Sequence, residues 1–205
     1  MTPGSEDLSP ASRDLGAFCA RIIRFDPAIL VRVDVEAVWA ILPFDVLATR
    51  PLRAGREGFI APGAYRAAEV LEYLSEGGPL PRDRSADWRG GPPPLTMGRV
   101  LERLPARELR GIADAAVETL RQSPPSLGER RVRDVLLDHV AVTVVAEGEG
   151  VVNIPLRLVL GLTRMGFLGN DPVTVSRSGG WTGLVAEYGA VWHKRRITLQ
   201  TTGQR

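Results

Sequence analysis

Hydrophobic positions change period several times along the chain, and each change marks an element. Between Leu30 and Asp34, Val31 and Val33 alternate with Arg32 and Asp34, the two-residue period of a strand with one wet face. The next run, Val38-Trp39-Ala40-Ile41-Leu42, is apolar throughout, which fits a strand covered on both sides. Pro43 removes a ladder N–H at its end, so a bulge is expected there before the run resumes through Phe44, Asp45 and Val46 to Thr49. These residues are expected at the heart of a sheet.

Elsewhere the period lengthens. Leu15, Phe18, Cys19, Ile22 and Ile23 share one stripe, predicting a helix that begins at Ser12 as N-cap and stops before Pro27. Ala67, Val70, Leu71 and Leu74 predict a second helix over 64–74, ended by Gly77 and Gly78. Leu109, Ile112, Ala113, Ala116, Val117 and Leu120 make the clearest seam, a helix over 106–122 closed by Pro124 and Pro125. Residues 129–137 read as a short helix, and Leu156 to Met165 as another, with Pro155 at its start. Val140 to Val145 and Val151 to Ile154 form a hairpin about Glu147-Gly148-Glu149-Gly150, and 173–195 a meander of about three strands.

The resulting expectation is an α+β fold, a largely antiparallel sheet with three to five packed helices. A single domain over 11–197 would lie between a disordered N-terminus, 1–10, and a polar tail, 198–205. Residues 79–94 combine charges, glycines and three successive prolines, so they form a long irregular loop. Trp88 within it is expected to plug its own domain.

Composition narrows the function classes. The chain has 205 residues, 44% of them hydrophobic, enough for one good core. The formal net charge is only +2, so whole-chain charge does not argue for nucleic acid. Of the 26 basic residues only Lys194 is lysine, a bias typical of a GC-rich genome. Cys19 is the single cysteine, which excludes an intramolecular disulfide and a cysteine metal cluster and fits a cytoplasmic setting. The acidic start, Met1 to Asp7, reads as no signal peptide, and no apolar run approaches the ~20 residues of a membrane span.

No chemical motif of strength is present. His139 and His193, the only histidines, lack metal-ligand spacing; no glycine-rich run matches a phosphate cradle, and no serine sits in a nucleophile elbow. No metal or cofactor is expected. The best candidate surface is C-terminal, where Trp181, Tyr188 and Trp192 adjoin His193, Lys194 and Arg195: aromatics beside a basic run suit a protein or anionic partner. The chain then reads as a non-catalytic binding or regulatory protein, and a homo-oligomer is compatible with that reading. The alternative is a small enzyme or metabolite binder with a pocket between sheet and helices, where Asp45, Arg50, His139 and Glu187 converge.

Three segments, Phe18 to Phe25, Trp39 to Ala48 and Gly180 to Trp192, carry a resemblance across most of the chain. Their texture is similar to that of a conserved protein group restricted to actinobacteria. The resemblance implies a cytoplasmic protein of unknown function and supplies no catalytic residue.

Overall fold

The structure, a computed structural model, describes residues 10–52, 60–90, 98–122 and 129–194. In chain order the elements are α1 (Pro10–Ile22), β1 (Leu30–Val33), β2 (Ala37–Leu42), β3 (Val46–Pro51), β4 (Gly63–Arg66), α2 (Ala67–Glu76), β5 (Arg99–Leu104), α3 (Ala106–Gln122), α4 (Glu129–Asp138), β6 (Val140–Ala146), β7 (Gly150–Pro155), α5 (Leu156–Arg164), β8 (Val173–Ser178), β9 (Trp181–Ala186) and β10 (Gly189–Lys194). The expected α+β class is present. Eight strands form one sheet, in the order β4-β1-β2-β3-β10-β9-β8-β5, and β6 and β7 form a separate hairpin. Every pairing is antiparallel.

That order is a near mirror about the β3–β10 pair. Outward from the centre lie two meanders, β3-β2-β1 and β10-β9-β8, each followed by a strand from elsewhere in the chain, β4 or β5. A helix precedes each meander, α1 or α5, and a helix follows each outer strand, α2 or α3. The chain thus builds the same arrangement twice, although no repeat is visible in its sequence. Antiparallel pairing of Ala48 with Val191 joins the two halves into one continuous sheet.

Alternation sorts the strand residues between two faces. Val31, Val33, Val38, Ala40, Leu42, Val46, Ala48, Val173, Val175, Leu184 and Val191 point to the helices and join their apolar stripes in the main core. Leu15, Phe18, Cys19 and Ile22 of α1 are fully buried there, as the helical spacing predicted. Burial pushes the Cys19 thiol pKa up, leaving almost no thiolate to react near neutrality. Native protein should therefore resist maleimide at pH 8 and label only once urea unfolds it; rapid labelling of the folded form would put Cys19 outside the core.

The structure corrects the sequence reading locally. Pro43 does not mark a bulge: β2 and β3 are a hairpin, joined through Pro43, Phe44 and Asp45. Asp45 takes φ 63°, a left-handed conformation that Asp tolerates better than most residues, and donates its N–H to the Leu42 carbonyl at 3.2 Å. Helix α1 begins at Pro10, so Ser12 lies inside it. The second helix is preceded by an unexpected strand, β4, and ends at Gly77, whose φ of 64° lets its N–H bond back to the Tyr73 carbonyl. Strand β5 was also unforeseen.

The two edges of the sheet differ. At β4, the Ala64 N–H donates to Ser85 Oγ at 3.1 Å and the Ala64 carbonyl accepts from the Arg84 N–H at 2.6 Å. The loop therefore closes that edge. At the other end, among the described residues, β5 pairs only with β8, through a register shift between Val100 and Glu102. Cross-strand neighbours Arg99 and Arg177 would repel there, but Glu149 from the β6–β7 turn pairs with both.

Candidate binding surface

All four tryptophans of the chain meet on the sheet face turned away from the helices. Trp39 of β2 and Trp192 of β10 are buried there with Ala37, Leu47 and Ala190; Ile41, Val185, Trp181 and Trp88 pack around them. Among the described residues no helical one belongs to this cluster. Its geometry follows from register: Leu47 lies opposite Trp192, Trp192 opposite Gly183, and Lys194 opposite Trp181. The Trp192 ring lies flat across Gly183, where an added Cβ would sit 2.3 Å from the ring. Only glycine permits that approach.

Trp88 arrives from outside the sheet, on the segment 79–90. A 3-10 turn at Ser85–Asp87 precedes it, held by Asp83 Oδ1, which accepts from the Ser85 N–H at 2.9 Å and its hydroxyl at 2.6 Å. Those bonds, the hydroxyl's first, hold the Asp83 carboxyl below its ordinary pKa, so the anchor is charged at neutral pH. The sequence reading foresaw Trp88 as a plug but not what it covers. Buried on this face and without a hydrogen-bond partner among the described residues are Trp88 Nε1, Trp192 Nε1 and Thr49 Oγ1.

The C-terminal candidates divide. Trp181 is partly exposed and Lys194 lies over its ring, 6.0 Å from the centroid, a weak cation–π contact. Trp192 is on the same face but fully buried, so it lies beneath that surface. His193 points the other way, where its Nδ1 donates to the Asp45 carbonyl at 2.9 Å. Tyr188 is exposed, in the β9–β10 turn at the far end of both strands. Its hydroxyl donates to Glu187, which lowers the Glu187 pKa and raises that of Tyr188. Arg195 lies outside the described residues.

The four candidate pocket residues are not brought together. Asp45 immediately precedes β3 and Arg50 lies near its other end, about 16 Å away at the usual rise of a strand. Arg50 is paired with Asp14 of α1. Glu187, which accepts the Asn170 N–H at 3.1 Å, is near the Arg50 end, because Gly189 beside it approaches the Thr49 carbonyl. His139 is exposed near the Asp45 end, where Arg157 links the Phe44 carbonyl to Asp138. Among the described residues no group of three or more His, Cys, Asp or Glu is placed to hold a metal ion, and no helix is long and apolar enough to cross a membrane.

Comparison with known proteins adds two findings. Residues 93–198, more than half of the chain, match the family model described as Domain of unknown function (DUF8185), and residues 8–79 match Domain of unknown function (DUF8010). No curated protein matches the chain. Among solved structures, the DNA polymerase III β subunit of Thermotoga maritima superposes with a TM-score of 0.54 at 9% identity, covering 89% of this chain and 62% of that one. The sliding clamp of Bartonella birtlesii, bound to griselimycin, gives 0.54 at 12% identity, with coverage of 91% and 64%. The β subunit of Pseudomonas aeruginosa gives 0.52 at 11%, with 90% and 62%. The chain thus has a fold similar to these clamp subunits and spans less than two thirds of their length.

Proposed function

Because this chain belongs to the DUF8185 family and has a fold similar to sliding-clamp subunits, we propose that it is a non-catalytic binding protein that works through the helix-free face of its sheet. The observation that carries this is the gathering of all four tryptophans on that face. Tryptophan is costly to expose and strong in recognition, so such concentration favours a contact surface. A protein partner is favoured over nucleic acid, because the face is built on an apolar tryptophan cluster and two of its four basic strand residues, Arg32 and Arg66, are already paired with acids, which leaves little free positive charge for a phosphate backbone. The Bartonella birtlesii clamp holds griselimycin, which supports, at the level of fold analogy alone, a holding role. A cytoplasmic setting, one domain over 11–197 and confinement of the family to actinobacteria belong to the same reading.

The test uses two accessible residues of the face. Immobilised protein carrying Trp181→Ala and Lys194→Glu together should lose partners that the unchanged protein captures, while its thermal midpoint stays within a few degrees. Equal recovery by both proteins would put the contact surface elsewhere.

A further inference from the structure

The segment 79–90 is fastened to the sheet near one place. Arg84 and Ser85 bond to Ala64, and Asp83 braces Ser85. Beyond the 3-10 turn, the described hydrogen bonds of Asp87, Trp88 and Arg89 return to Arg84, Ser85 and Ala86, within the segment itself. Trp88 consequently holds to the sheet through its ring, with its own N–H buried and unpaired. On the same face of the sheet Trp192, 0% exposed, and Thr49, 1% exposed, also keep polar atoms with no partner among the described residues. Buried donors without acceptors are unfavourable, and an occupant that brings acceptors relieves them. Trp88 fills the shape of the site and leaves its hydrogen bonding unmet.

The charge carried by the described strands of this face is one-sided. By register, the charged strand residues on this face are Arg32, Arg66, Arg103 and Lys194, with no acid among them. Arg32 and Arg66 are paired, to Asp34 and Glu69. Arg103 and Lys194 are exposed and make no ion pair with a described residue.

We propose that segment 79–90 is a displaceable strap, and that the face beneath it takes, in place of Trp88, an aromatic side chain carried on an acidic segment of a partner protein. The proposal rests on the reading of this face as the working surface. Carboxylates and carbonyls of such a segment supply the missing acceptors, and its charge meets Arg103 and Lys194. While Trp88 is docked, the partner's apparent dissociation constant is raised by the reciprocal of the open fraction. The strap therefore sets the threshold at which a partner is admitted.

Fluorescence anisotropy with a labelled Asp-Glu-Asp-Trp-Asp-Glu peptide tests this on the full chain. The Trp88→Ala protein should bind at least about tenfold more tightly than the unchanged protein, because the internal competitor is gone. Replacing the peptide's tryptophan by alanine should abolish binding, and adding Lys194→Glu to the protein should weaken it. Identical affinity for both proteins, or no binding by folded Trp88→Ala protein, overturns the proposal. Hydrogen exchange on unchanged protein covers the case in which that variant fails to fold. Amides of 87–90 should then exchange at least about a hundredfold faster than the paired amides of β2 and β3, and equal protection overturns the strap. If the peptide fails but partner capture still depends on Trp181 and Lys194, only the strap falls; if capture ignores those residues, the working surface itself is misplaced.

Discussion

Trp192→Ala is expected to destabilise the protein by about 3 kcal/mol, the lower end of the range for truncating a buried large aromatic. Trp192 is 0% exposed, spans Gly183, and packs with Trp39, Leu47 and Ala190, so little can collapse into the space it leaves. The lower end applies because the same change removes an indole N–H that has no partner. Urea denaturation followed by circular dichroism measures the shift. Tyr188→Ala, at a residue 45% exposed, serves as the control and should move the midpoint little. An unchanged midpoint for the Trp192 variant would mean that the helix-free face has no core of its own.

Phe167→Ala is expected to cost about 3–5 kcal/mol, and the shape of its transition matters as much as its position. Phe167 is fully buried and stacks on Phe18 of α1 with ring centroids 6.4 Å apart. Its carbonyl also accepts the Tyr188 N–H at 3.2 Å. Phe18 lies within the residues matched by one family model and Phe167 within those matched by the other. If β3–β10 pairing makes the halves one cooperative unit, as we propose, calorimetry should show a single peak moved to lower temperature. Two separate peaks would show that each half melts independently.

Much of this architecture was legible where a long period had room to repeat. The helix over Ala106–Gln122 has the predicted bounds, and the three C-terminal strands pair as the expected meander. The missed strands had no such room. Strand β4 is only Gly63–Arg66, and β5 exposes Arg99, Val100, Glu102 and Arg103 around a register shift, so neither displays an apolar alternation. Pairing was also hidden: Arg50 finds Asp14 on α1, a contact between distant residues that spacing cannot announce.

The candidate surface was legible in half. Alternation along β9 and β10 puts Trp181, Trp192 and Lys194 on one face, but it cannot say which of them something else covers. That depended on Trp39, brought close by β3, and on Trp88, delivered by a loop with no periodicity at all. Tyr188 stands apart from these residues because a turn residue next to a strand follows neither face.

The unequal edges of the sheet limit how the protein can multiply. At β4 the backbone groups of Ala64 are spent on Arg84 and Ser85, whereas among the described residues β5 has a strand on one side only. Strand addition needs an open row of N–H and C=O groups on each incoming copy. Two molecules joined β5 to β5 would consume both open rows, leaving closed ends on each side and no template for a third. Strand addition at β5, if it occurs, would therefore end at a pair, and an endless fibre would first have to strip the loop from β4.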